Sequence, residues 1–386
     1  MSSGHYLRPT MMNDAQISPA GLASLHERMA RQVEDKQMPG LVTLVAAGDD
    51  VRFDAIGTLA FDNPTPMARD TIFRIASLTK AVIAVAAMTL VEDGRIGLED
   101  SIEPLIPEMA DRRVLRTLAS ALDDTVPARR AITVEDLLTF RLGFGSVMAR
   151  PGTHPIQVEE ERLQLKTLGP PWPPPPHTPD TWIAALGSLP LIAQPGEEWM
   201  YNTGAGVLGV LVARAAGQPV EQFLCERIFD PLGMGDTGFS VPAPKMDRFA
   251  TAYMPDPETG ELGVLDAGAG GYWAQPPSFP DCSGGLVSTI EDVWRFASML
   301  VDGGAAGSVR ILRPESVRTM SLDRLTRAQR EAAPMSSGPA RAGDWGWPCR
   351  PTTPNATSPA PATHPGVALA GMAERDAHGG QTSIVA

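Results

Sequence analysis

From Ala81 to Leu90 the sequence reads Ala-Val-Ile-Ala-Val-Ala-Ala-Met-Thr-Leu, without a single charge. A helix that is apolar on every side has no face to offer water, so it belongs in a core with other elements packed around it. The residues in front of it, Phe73-Arg74-Ile75-Ala76-Ser77-Leu78-Thr79-Lys80, place a Ser and a Lys three apart where that helix begins. Residues at that spacing lie on one helical face, so a hydroxyl and an amine are expected to share one space. A Ser at a helix start has its own amide near the positive end of the helix dipole, which suits a nucleophile whose product oxygen is held as an anion. A Lys walled in by apolar residues loses solvation, which disfavours its charged form and suits a working base. The plainer reading is an ordinary N-cap at Ser77 and a solvated first-turn residue at Lys80. The context favours the functional one, because the chain has only four Lys and this one opens its most apolar helix.

With 386 residues the chain can bury a large core, as one large domain or two lobes. Its net charge of −13 argues against nucleic acid as a partner and against an anionic membrane surface. Cys225, Cys282 and Cys349 are odd in number and widely spaced, so neither a disulfide framework nor a metal-ligand spacing is expected. That usage fits a reducing cytoplasm. The start of the chain shows no apolar signal segment, and no run is long and apolar enough to span a bilayer. None of the six His lies in a ligand pair, so no metal and no cofactor is expected.

Residues 1–17 read as a loose leader. Pro19 to Val33 reads as an amphipathic helix, with Leu22, Leu25, Met29 and Val33 on one stripe. Leu41 to Ala47 is a buried strand, Gly48-Asp49-Asp50 a turn, and Val51 to Gly57 its hairpin partner. Helices dominate from about 81 to 330. They include one opened by Thr133 with Asp136 as its reaching partner, and others over 205–216, 219–228, 289–300, 314–323 and 324–332. The stretch 150–180, with Pro170 to Pro176 interrupted only by Trp172, is expected to be largely extended. It is either a surface flap or a wall of a substrate pocket, with Trp172 as an apolar contact.

Further on, Pro195-Gly196-Glu197-Glu198-Trp199-Met200-Tyr201-Asn202-Thr203-Gly204 reads as a turn, an extended piece and a helix start. Taken with Ser77-x-x-Lys80, the pattern Pro-Gly-x-x-Trp-x-Tyr resembles the class C β-lactamase-like serine hydrolases. That superfamily includes class C β-lactamases, DD-peptidases and family VIII carboxylesterases. The resemblance continues through Thr133 to Leu138, Phe229 to Met234, Gly284 to Thr289 and Gly346-Trp347. No Gly-x-Ser-x-Gly is present, which removes the usual α/β-hydrolase signature. Two departures stand out. The family's second motif is usually Tyr-x-Asn, whereas Tyr201 is followed directly by Asn202 and Thr203. Either Asn202 does the Asn's work with the chain one residue shorter, or Thr203 takes its place. The third motif, Lys/His-Thr/Gly-Gly, is matched only by His378-Gly379-Gly380-Gln381. That stretch follows a Pro-rich segment poorly suited to central strands and lies just before Ala386. A truncated or frame-altered C-terminus is the expectation there.

The resemblance implies an α+β fold: an antiparallel sheet flanked by helices, built from about 38–73 and the C-terminal segment, plus a mostly helical lobe. The C-terminal strands would be missing or altered. The hydrolase domain would span 18–347, followed by an atypical segment over 348–386. It also implies acyl transfer through an ester on Ser77, with Lys80 or Tyr201 as the base. Asn202 would orient Lys80 or contact the substrate's acyl amide. Thr203, Trp172 and the stretch His378, Gly379, Gly380 and Gln381 would contact substrate, and the Gln381 amide would complete the oxyanion hole. The expected substrate is a small ester or amide, with an esterase on short-chain esters ahead of a β-lactamase or DD-peptidase. An acyltransferase and a catalytically silent binding member are the alternatives. The sequence sets no oligomeric state.

Overall fold

The computed structural model describes residues 17–165, 171, 173–256 and 259–332. The expected leader up to residue 16, Trp172, and everything from 333 onward, including 348–386 and His378 to Gln381, lie outside the described residues.

The first helix, α1 (Pro19–Glu34), is capped by Ser18, whose Oγ accepts from Gly21 N at 3.2 Å. It lies against a three-stranded antiparallel sheet of β1 (Gly40–Ala47), β2 (Asp50–Ala60) and β3 (Asn63–Pro66). The expected hairpin forms with Gly40 opposite Gly57 and Ala47 opposite Asp50, closed by a two-residue turn with Gly48 at φ 57°. Alternation along β1 turns Val42, Leu44 and Ala46 inward against Leu59, Met67, Ala250 and Ile290.

The next strand, β4 (Ile72–Arg74), leads through a 3₁₀ turn at Ala76–Leu78 into α2 (Thr79–Glu92). Every residue of α2 from Thr79 to Leu90 is buried, as its unbroken apolar text requires. Around it follow a small hairpin of β5 (Arg113–Leu115) and β6 (Thr125–Pro127), then α3 (Val134–Leu138), α4 (Pro155–Arg162), α5 (Pro179–Gly187) and α6 (Thr203–Ala216). The chain continues through α7 (Val220–Leu224), a π-helical turn at Cys225–Phe229, and α8 (Asp230–Leu232). A hairpin of β7 (Ala252–Pro255) and β8 (Leu262–Asp266) precedes β9 (Val287–Thr289) and α9 (Ile290–Val301). The last described elements are β10 (Ala305–Ala306), β11 (Val309–Arg310), α10 (Pro314–Met320) and α11 (Arg327–Ala332). The largest apolar cluster is centred on α2 and α6.

The helix α3 has the expected reciprocal cap. Thr133 Oγ1 accepts from Asp136 N at 3.2 Å, and Asp136 Oδ2 accepts from Thr133 N at 2.9 Å. Three local expectations need correction. The stretch 150–180 is not extended throughout, because α4 forms within it. Pro155 sits at that helix's first position, where its missing N–H costs nothing, and Ile156 is fully buried. The helix expected over 324–332 starts only at Arg327, since Thr326 Oγ1 accepts from Gln329 N at 3.2 Å and so caps it there. The one expected over 219–228 changes to π-helical hydrogen bonding after Leu224. One pairing has no counterpart in the sequence reading. Strand β9 runs antiparallel to β4, with Phe73 opposite Ser288, and the pairing extends through Ile75 N to Leu286 O at 3.0 Å. The segment around 286 thereby anchors the entrance to α2.

Candidate active site

Ser77 lies in the 3₁₀ turn between β4 and α2. The turn is held on both sides. Thr79 Oγ1 donates to Ala76 O at 2.7 Å and accepts from Leu286 N at 3.2 Å. Ala76 itself takes φ 42°, a left-handed conformation that an L residue adopts at a cost. Just before it, Arg74 is buried between the rings of Phe249 and Trp273, 4.0 and 5.0 Å from their centroids. Its guanidinium donates to Ala250 O at 2.7 Å and pairs with Asp266. Burial pulls the Arg74 pKa down, and the Asp266 carboxylate opposes that shift.

One helical turn after Ser77, the Lys80 side chain points back toward it. Lys80 is 3% exposed. Its Nζ donates to Ser77 Oγ at 3.2 Å and to the carbonyl of Ser283, and it lies 4.6 Å from the centre of the Tyr201 ring. A buried side-chain amine needs such partners. The Ser283 carbonyl is delivered by a tight turn in which Asp281 Oδ1 accepts from Ser283 N at 2.7 Å and Asp281 O accepts from Gly285 N at 2.8 Å. That turn rests on α6 at Gly209, where a Cβ would fall 2.6 Å from Cys282 Sγ, so only glycine fits.

Tyr201 reaches the same space from 124 residues further along the chain, its hydroxyl 2.6 Å from Ser77 Oγ. The phenol is flanked by the rings of Phe140 and Trp199, at 6.0 and 5.9 Å between centroids. Its backbone is clamped by Ser146 N, which donates to Tyr201 O at 2.8 Å, and by Met200 N, which donates to Phe140 O at 2.8 Å. Hydroxyl, amine and phenol thus converge in one contact set, with the amine out of water. This set can take a proton from a hydroxyl and return it to a leaving group without any further acid or base.

Beside the set opens a cavity lined by Asn202, Thr203, Ser283, Ser146, Trp182 and Phe279, among others. Trp182 and Phe279 stack at 4.8 Å between centroids, with 20° between their planes. Of the residues read from the sequence as substrate contacts, Asn202 and Thr203 line this cavity, whereas Trp172 and His378 to Gln381 lie outside the described residues. Ser283 is the participant that the sequence reading missed. It acts through a backbone carbonyl, which leaves no mark on residue type. The only signal available was its position next to the block Gly284 to Thr289. Among the described residues no cluster of His, Cys, Asp and Glu could hold a metal, and no helix is long and apolar enough to cross a membrane.

A buried-Lys, Ser and Tyr set on an α+β scaffold defines a serine-hydrolase type of enzyme, and comparison with known proteins gives the family. The Beta-lactamase family model matches residues 25–381, and the chain belongs to that family. It is 42% identical to Protein Rv1367c of Mycobacterium tuberculosis over 294 residues, covering 76% of this chain and 70% of that protein. It is 28% identical to Esterase EstB of Burkholderia gladioli over 306 residues, covering 75% of this chain and 72% of that protein. Among solved structures it resembles EstCE1, described as a hydrolase with promiscuous acyltransferase activity. The TM-score is 0.66 and the identity 25%, over 84% of this chain and 82% of that one.

Proposed function

We propose that the protein is a carboxylesterase that cleaves short-chain esters through an acyl-enzyme on Ser77. The observation that carries this reading is the position of Ser77 Oγ, 2.6 Å from Tyr201 OH and 3.2 Å from Lys80 Nζ. The likeness to EstB, named an esterase, supports it.

In the first half-reaction Ser77 Oγ attacks the ester carbonyl, and its proton passes to the Lys80–Tyr201 pair. The carbon–oxygen bond to the alcohol then breaks. The departing alkoxide takes a proton from Tyr201, and an acyl ester remains on Ser77. Water reverses the roles, giving up a proton to the same pair as its oxygen attacks the acyl carbon. The carboxylic acid leaves and Ser77 regains its proton. The backbone N–H of Ser77 is one oxyanion donor in this reading. By the family resemblance, the stretch His378-Gly379-Gly380-Gln381 supplies the other at Gln381. Asn202 and Thr203 contact the acyl portion from the cavity. The free thiols Cys225 and Cys282 suit a cytoplasmic setting.

A second reading, acyl transfer to an alcohol in place of water, is favoured by what EstCE1 is described as doing. Both are tested with p-nitrophenyl acetate and butyrate, with and without an added alcohol, alongside a chromogenic cephalosporin. Ester hydrolysis with little β-lactam turnover is expected. Ser77→Ala should abolish it, and full esterase activity in that variant would refute the assignment. Transesterified product in the presence of the alcohol selects the second reading.

A further inference from the structure

The departure from the Tyr-x-Asn pattern has a backbone solution. Asn202 sits at φ 83°, ψ −64°, and Thr203 N donates to Tyr201 O at 3.3 Å. This is a three-residue γ-turn with its central residue on the positive-φ side, a rare and strained form. It turns the chain from Tyr201 straight into α6. The Asn202 side chain makes no hydrogen bond to another described residue, and it does not cap α6.

The parts on either side of the turn are fixed. The Tyr201 carbonyl also accepts from Ser146 N at 2.8 Å, and a Cβ on Gly145 would lie 2.6 Å from that same oxygen. On the other side α6 is buried from Gly204 to Val212, and a Cβ on Gly204 would lie 3.1 Å from Leu137 O. If residue 202 relaxed to negative φ, either α6 or the Tyr201 backbone would have to move. The helix is locked in the core, so the displacement falls on Tyr201.

From this we infer that Asn202 is a positioning residue. Its tolerance of positive φ holds the Tyr201 hydroxyl on Ser77, and its amide is not what the proton transfer needs. Gly takes positive φ without penalty, and among the other residues Asn is one of those enriched at positive φ. The same position lines the cavity, so the two roles separate kinetically: the backbone governs kcat and the side chain governs KM. This inference rests on the reading of Ser77 and Tyr201 as the reacting pair.

The test compares Asn202→Gly with Asn202→Ala, using p-nitrophenyl butyrate hydrolysis and the rate at which a fluorophosphonate labels Ser77. Asn202→Gly should keep kcat within about threefold while KM rises. Asn202→Ala should lose on the order of tenfold to a hundredfold in kcat and in labelling rate, as a small displacement of a reacting group does, with KM raised as in the glycine variant. Equal kcat in both variants, retained or lost, overturns the inference. Should the alanine variant not fold, the glycine variant decides alone: a loss of tenfold or more overturns the inference, and retention supports it. A wild-type protein that is neither labelled nor active refutes the hydrolase reading instead, a result distinct from any of these.

Discussion

Three of the six non-glycine residues with positive φ among those described border the reacting set: Ala76, Phe140 and Asn202. Ala76 precedes Ser77, Phe140 packs on Tyr201 and receives the Met200 N–H, and Asn202 follows the phenol. Strained backbone at such a density is what a site pays to aim its groups. The phenol hydroxyl carries the sharpest expectation. Tyr201→Phe keeps the ring between Phe140 and Trp199 but removes the oxygen 2.6 Å from Ser77. It should lower kcat by about 10²- to 10⁴-fold with little change in thermal stability, measured by steady-state hydrolysis and a melting curve. A variant within threefold of wild type would take Tyr201 out of the proton path. At this scale the sequence was informative where the proposed chemistry rests on side chains that the structure brings into contact. Ser77 and Lys80 stand one helical turn apart, and Tyr201 lies in a block of unusual composition. It was silent on Ser283, whose carbonyl any residue could supply, and on the φ of Asn202, because the text records a departure from the motif but not the turn formed there.

Among the elements, α2 ties stability to function, since its first turn carries Lys80 and its lead-in carries Ser77. Ala86 and Ala87 are fully buried on it. Ala86→Leu should cost about 1–3 kcal/mol of stability by overpacking, read from urea unfolding. Activity should fall with it as the helix shifts. Unchanged stability would mean that the core around α2 is looser than its burial indicates. The apolar run and the Thr133–Asp136 cap were legible because each imposes its own local structure. Strand β9 was not, because three residues carry no alternation and its pairing with β4 is decided more than two hundred residues away. Helix α4 was hidden by neighbouring prolines, although a proline at the first helical position favours the helix it opens.

For the whole molecule, the fold class followed from the order of motif blocks. The strand pairing that fastens the 286 region to the Ser77 turn emerged only with the tertiary structure. Electrostatics at this scale give the fold a pH-dependent contribution. Asp236 accepts from Arg248 Nη2 at 2.8 Å and lies 2.7 Å from Lys245 Nζ. The Arg248 hydrogen bond, with help from Lys245, holds its carboxyl down to about 2. A carboxyl with a depressed pKa stabilises the fold above its unfolded pKa of about 4, and that contribution disappears as pH falls toward the folded value. The urea-midpoint gap between wild type and Asp236→Asn should therefore be constant from about pH 7 to about pH 5 and narrow below about pH 4. A gap that persists undiminished on acidification would contradict that pairing.

The central claim is that Ser77 is a live nucleophile, made so by an amine and a phenol brought to it from two other turns of the chain. Mass spectrometry of the intact protein after brief exposure to a fluorophosphonate, followed by peptide mapping, tests this most directly. The expected result is a single adduct per chain, on Ser77, absent from Ser77→Ala and formed far more slowly in Tyr201→Phe. An unlabelled wild-type protein, or an adduct on another residue while ester hydrolysis continues, would contradict the account.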